Sequence, residues 1–183
     1  MPSLPLSRIL AATLILCFAS PSWSTEYNPS QVAQTTSPTP ALSIRNAKQP
    51  FPGILTGGQP SSAQLSAAKR LGYKTVISLR ARVETGLWNE GSTVEELGMK
   101  YVSIPVKGIA GLTAQNAKTL IQALADPADY PILLHCGSGD RVGALLAIDA
   151  GINQGIASQQ ALKVGRSAGL NRLEGAVKQL LEK

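Results

Sequence analysis

The chain has 183 residues, and its composition of 44% hydrophobic and 15% charged residues suits one domain with a substantial core plus tails. A formal net charge of +6 favours anionic ligands, but the basic residues are scattered and aromatic residues make up only 4%, which argues against nucleic acid as a partner. Beyond the leading segment the chain holds one cysteine, Cys136, and one adjacent histidine, His135, which cannot supply a tetrahedral zinc cage within one chain, and no cofactor is expected.

Residues 1–24 read as a secretory signal: Arg8 supplies the positive start, residues 9–19 the apolar stretch, and Ser22 and Ser24 the small residues before a cut. The apolar stretch is about half of the ~20 residues a membrane span needs, and Pro21 ends it. The mature chain is therefore expected to start near Thr25 as an exported protein with no stable membrane insertion, periplasmic in a bacterium with two membranes. Cleavage also removes Cys17, leaving one thiol, so no internal disulfide can form. Residues 25–50, rich in Ser, Thr, Gln and Pro, are read as a disordered leader, because they lack the apolar surface that offsets the entropy of ordering.

From residue 51 to 183 short apolar runs alternate with helical patterns closed by glycine. That texture predicts a three-layer α/β domain, with a mostly parallel sheet of four or five strands flanked by helices. Ile54-Leu55-Thr56 is a short first strand. Ser61 or Ser62 caps a helix that carries Leu65, Ala68 and Leu71 on one face, and Gly72 ends it in the left-handed conformation. Residues 73–79, apolar and β-branched, form a central strand whose carboxyl end presents Arg80, Arg82 and Glu84, at the edge where open α/β sheets bind ligands.

Asn89 or Ser92 caps the next helix and Gly98 closes it; residues 100–106 then alternate apolar and polar, with Pro105 marking an edge strand. Residues 107–111 read as a flexible loop. Thr113 caps a helix through Ala117, Leu120, Ile121 and Leu124 that stops at Asp126-Pro127. Residues 131–135 lead into the stretch His135-Cys136-Gly137-Ser138-Gly139-Asp140-Arg141, and two amphipathic helices follow at about residues 158–166 and 171–181.

That stretch lies between an apolar strand and a small-residue helix. In such a loop successive backbone N–H groups can converge on one anion, and the helix dipole adds to the attraction. The same field would hold Cys136 as a thiolate, the nucleophilic form. Arg141 supplies a planar fork for two oxygens of a tetrahedral anion. Gly137 and Gly139 free the backbone to turn its N–H groups inward, and Ser138 can donate to the sulfur. His135 points to the opposite face of the strand from Cys136, so it is expected to brace the loop rather than react.

The loop resembles the His-Cys signature of cysteine-dependent protein phosphatases. Gly58-Gln59-Pro60-Ser61, the run from Gly72 to Arg80 with Glu84, and Tyr101 with Ile104-Pro105-Val106 and Leu112-Thr113 are similar to the beta-lactamase-hydrolase-like phosphatase domain family. That family is a bacterial branch of the dual-specificity and protein tyrosine phosphatase-like enzymes. The resemblance covers residues 51–154 and implies a cysteine-phosphatase-like fold, a phosphate ester or other anionic small molecule as substrate, Cys136 as nucleophile and Arg141 as phosphate ligand.

Two features depart from that pattern. Four residues separate Cys136 from Arg141 where five are usual, and residues 107–111 hold no carboxylate where the resemblance places a general acid. Asp140 and Glu84 are the carboxylates near enough in sequence to replace it. A rhodanese-like sulfurtransferase carrying a persulfide on Cys136 needs no proton donor and tolerates the shorter loop, and a catalytically silent anion-binding module needs neither.

Overall fold

A computed structural model of the chain describes residues 39–84 and 86–183. The strands are β1 (Lys48–Phe51), β2 (Ile54–Gly57), β3 (Thr75–Ser78), β4 (Lys100–Ser103) and β5 (Ile132–His135). The helices are α1 (Ser62–Arg70), α2 (Glu90–Glu96), α3 (Ala114–Ala123), α4 (Asp140–Ile148), α5 (Ser158–Ser167) and α6 (Glu174–Leu181). They form one five-stranded sheet of order β1-β2-β5-β3-β4. β2, β5, β3 and β4 run parallel, and only β1 is antiparallel to its neighbour.

Strand β5 sits at the centre of the sheet, and all four of its residues are buried. Ile132 and Leu134 join the core beneath α3, α4, α5 and α6, whereas Leu133 joins the other core, built with Leu65 and Ala68 of α1 and Val94 of α2. Period-two alternation thus puts Cys136 in the first core and His135 on the second face. Each fully buried Leu or Ile of the central strands adds roughly 1.5–3 kcal/mol of transfer free energy.

Local signals act as the sequence suggests at most boundaries. Ser61 and Gln64 form a reciprocal capping box on α1, Asn89 caps α2, and Thr113 caps α3. Gly72 and Gly98 both hold positive φ, +87° and +69°. The pairing order leaves β4 at the sheet edge beside Pro105.

Four expectations are corrected. The reading of residues 25–50 as a leader fails over its last part: Leu42 and Ile44 are buried, Tyr73 Oη donates to Pro40 O at 2.6 Å, and β1 starts at Lys48. Two apolar residues spaced two apart suffice to seat this segment on the α1 side of the sheet. The expected signal at 1–24 and the leader up to residue 38 lie outside the described residues. Leu71 is 42% exposed, because α1 ends at Arg70 and the cap turns it off the apolar stripe. Residues 107–111 are no open loop: Ile109–Gly111 is a 3₁₀ turn, with Gly111 so close to Val106 that a Cβ there would meet it at 2.9 Å. The last helix begins at Glu174 rather than residue 171, since the preceding residues turn their N–H groups toward Asp140.

Helices α4 and α5 approach backbone to backbone at Gly143 and Gly165. A Cβ on Gly143 would lie 2.2 Å from Leu170 N and 2.4 Å from Gly165 O, and one on Gly165 would lie 2.8 Å from Gly143 O. This close approach seats α4 firmly, and α4 carries the loop.

Candidate active site

The loop closes between β5 and α4 over Cys136, whose side chain is 1% exposed. Gly139 caps α4 with φ +91°, a left-handed conformation that glycine adopts without steric cost, and its N–H donates to Cys136 Sγ at 3.1 Å. The donor to the sulfur is therefore this backbone group at the helix start, not the Ser138 hydroxyl anticipated from the sequence. Ser138 instead offers its carbonyl to Asn46 Nδ2 at 3.0 Å and bridges to Gly58. A Cβ on Gly58 would come within 3.1 Å of Gly137 O, which explains a glycine there. Gly137 itself has ordinary space, its nearest neighbour being the Arg141 guanidinium.

Arg141 reaches from the first turn of α4 across the carboxyl ends of the strands. Its Nη1 donates to Glu84 Oε1 at 2.7 Å and to Val106 O at 2.7 Å, and its Nη2 donates to Glu84 Oε2 at 2.6 Å. Glu84 thus holds one edge of the guanidinium in both directions, which leaves the Nε edge for two oxygens of an anion above the loop. The hydrogen bond from Arg141 holds the Glu84 carboxyl below the usual carboxylate range, with the Ala81 N–H and Arg80 adding to it against some desolvation. The Glu84 hydrogen bond likewise pushes Arg141 further up, and the adjacent Cys136 sulfur adds to that.

Glu84 is accordingly an ionised clamp and not a proton donor. Asp140 is excluded from that role by its own bonds: 5% exposed, it accepts from the N–H groups of Asn171 at 2.9 Å, Arg172 at 3.1 Å and Leu173 at 3.3 Å. It ties the start of α4 to the approach to α6. Neither of the carboxylates considered as stand-ins for the missing general acid is free to protonate a leaving group.

His135 faces away from Cys136, with partners that sequence reading did not supply. It is fully buried, its Nδ1 lies 3.3 Å from Cys136 O, and its Nε2 lies 3.1 Å from Glu90 Oε1. The Nε2 contact is a close ion-pair distance without hydrogen-bond alignment. Glu90, 2% exposed at the start of α2, also accepts from Gln59 Nε2 at 2.6 Å and from Tyr101 Oη at 3.3 Å. Burial pushes its carboxyl up, but the His135 contact, followed by Gln59 and Ser78, outweighs this and leaves it below the usual range.

Arg80 connects the two halves, donating to Gln59 Oε1 and to Glu84 O. A continuous polar chain therefore runs from His135 under the loop through Glu90, Gln59, Arg80 and Glu84 to Arg141. Gln59 stood among the residues carrying the family resemblance; Glu90 gave no signal beyond its place beside a helix cap.

Above the loop a cleft of about 800 Å³ has Ala81, Val83, Glu84, Gly137, Ser138 and Arg141 among its lining residues. No cluster of three or more His, Cys, Asp or Glu side chains fit to hold a metal ion occurs among the described residues.

A parallel sheet, a cysteine at the carboxyl end of its central strand, an N–H-lined turn and an arginine in the first turn of the next helix together define an α/β domain of the cysteine-phosphatase type. The sequence profile of the family described as DSP-PTPase phosphatase fused to NAD+ kinase matches residues 28–179, and the chain belongs to that family.

Solved structures agree on the fold. A candidate phosphatase from Neisseria meningitidis is 21% identical with TM-score 0.60, covering 75% of this chain and 97% of its own. A DUF442 protein from Shewanella putrefaciens is 22% identical with TM-score 0.56, covering 76% and 93%. The core catalytic domain of the PP-IP phosphatase SIW14 from S. cerevisiae is 18% identical with TM-score 0.57, covering 78% and 87%. No curated protein matches the chain.

Proposed function

We propose that this chain is an exported cysteine-dependent phosphatase that attacks a phosphate monoester with Cys136, binds its oxygens with Arg141 and the loop N–H groups, and favours esters whose leaving oxygen is weakly basic. The observation that carries the reading is the Arg141 guanidinium, clamped along one edge by Glu84 and set beside the Cys136 sulfur at the start of α4. Attack by Sγ forms an S–P bond as the P–O bond to the leaving group breaks, and water then releases phosphate from the cysteine. Glu84 and Asp140 are engaged elsewhere, so the departing oxygen receives no proton from a nearby carboxylate. Loss of such a donor costs about 10²–10⁴ in rate for an alkoxide. An aryl oxide departs with far less penalty.

Export is supported by the arrangement of Arg8, the apolar residues 9–19 and the small residues Ser22 and Ser24. Mass spectrometry of protein recovered from outside the cytoplasm should give a chain starting near Thr25; an intact Met1 would remove this part of the proposal.

The activity is tested with aryl and alkyl phosphates side by side. The wild-type protein should release phosphate from phenyl phosphate much faster than from a serine phosphate, and Cys136→Ser should bind the ester without turnover. Absence of turnover together with sulfur added to Cys136 after thiosulfate would establish the sulfurtransferase instead.

A further inference from the structure

The cleft over the loop does not end at Arg141. A second hollow of about 550 Å³ continues from it, and the two share Arg45, Ser138, Asp140 and Arg172 as common walls. Lys48 lines the far side of the second hollow. Asp140 is its sole acidic wall, and that carboxylate is already committed to three backbone N–H groups. Arg166, also on the wall, is paired with Glu174, and Arg172 Nε stands 3.7 Å from Asp140 Oδ2, whereas Arg45 and Lys48 form no ion pair among the described residues.

Arg45 is held at this position by its neighbours. Its carbonyl accepts from Gly58 N at 2.7 Å, and Asn46 adopts φ +54°, the one non-glycine residue described with positive φ. From that conformation Asn46 Nδ2 reaches Ser138 O in the loop. A residue kept in a sparsely populated conformation needs support from its surroundings, and here the support is a bond to the anion loop itself. The segment before β1 is thereby pinned to the catalytic loop, with its arginine at the mouth.

We infer that the substrate carries a second phosphate, or an equally charged group, and that Arg45, Arg172 and Lys48 receive it while the ester phosphate sits on the Cys136 loop. The inference rests on the phosphatase reading in taking that loop as the seat of the first phosphate. Arg45 and Lys48, which have no carboxylate partner among the described residues, and Arg172, 77% exposed, can turn to an arriving anion, and guanidinium groups suit phosphate by their planar fork. Ala81, Val83 and Leu173 also line the first cleft and offer apolar surface to the carbon frame that joins the two groups.

The test uses the Cys136→Ser protein and two probes that differ by one phosphate, phenyl phosphate and 1,3-phenylene bisphosphate, with affinity read by titration calorimetry. The bisphosphate should bind about tenfold tighter, the size of one charge-assisted contact. That preference should fall to within about twofold on adding Arg45→Gln, and should weaken as salt is raised. Arg172→Gln, on a side chain 77% exposed, provides an independent variant should Arg45→Gln disturb the fold. Equal affinity for the two probes, or a preference that survives both substitutions, overturns the inference. Failure of the wild-type protein to hydrolyse either probe is a separate result, which counts against the phosphatase reading.

Discussion

Glu90→Gln puts the buried brace to its sharpest test. The carboxylate receives Gln59 Nε2 at 2.6 Å and Tyr101 Oη at 3.3 Å and stands 3.1 Å from His135 Nε2, with 2% of the residue exposed. An amide of the same shape can keep its oxygen toward Gln59 Nε2, but its NH₂ then replaces the oxygen that receives Tyr101 Oη, and the negative charge beside His135 is lost. Hydrogen bonds to a charged group contribute about 1.5–3 kcal/mol each and neutral ones about 1. Weakening of those contacts is partly offset by no longer burying a charge, for a net loss of about 2 kcal/mol. At roughly 2–4 °C per kcal/mol for a domain of this size, Tm should fall by about 4–8 °C at pH 7.

The sign of the pH dependence follows from the lowered carboxyl. Glu90 contributes stability that is present above its unfolded pKa and is lost as pH falls through the folded value, below the usual carboxylate range. The gap between wild type and variant should therefore be widest at neutral pH and shrink in strong acid. Thermal unfolding followed by circular dichroism from pH 7 down to about 3 reads both quantities. Unchanged Tm at pH 7, or a gap that does not vary with pH, would refute the view that an ionised Glu90 supports His135 and the loop above it.

Glu84→Gln removes the clamp on Arg141 rather than the fold. Because the Glu84 side chain is 32% exposed, stability should change by less than about 1 kcal/mol. The kcat/KM for an aryl phosphate should drop roughly 10–100-fold as the guanidinium loses its fixed orientation. A full retention of kcat/KM would show that Val106 O alone orients Arg141. Gly143→Ala forces a Cβ into Leu170 N and Gly165 O, so denaturant unfolding should show a loss of about 3 kcal/mol or more. Gly175→Ala on α6, where no atom lies within 4 Å of the new Cβ, should instead gain about 0.5–1 kcal/mol. Equal effects at the two glycines would contradict the close α4–α5 crossing.

Most of the architecture was legible in local chemistry. Capping residues, left-handed glycines and period-two burial are properties of a few adjacent residues, so Ser61, Asn89, Thr113, Gly72 and the opposite facing of His135 and Cys136 could be read directly. The placing of Cys136 and Arg141 in one loop was legible for the same reason, since both lie within a few residues of chain. Residues 42–50 were misread because a strand of four residues carries little periodicity, and its seat is made by α1 and β2.

What only the tertiary structure decided is how distant polar groups are shared. Asp140 and Glu84 are alike in sequence as free carboxylates, yet one is consumed by N–H groups some thirty residues on and the other by Arg141, 57 residues away. Glu90 and His135, and Asn46 and the loop, meet only because β5 is placed between β2 and β3, so that segments remote in the chain converge at one end of the sheet. Spacing along a chain determines which side chains share a strand or helix face. Which donor satisfies which buried acceptor depends on the packing of whole elements, and so the chemistry of this site was settled by strand order.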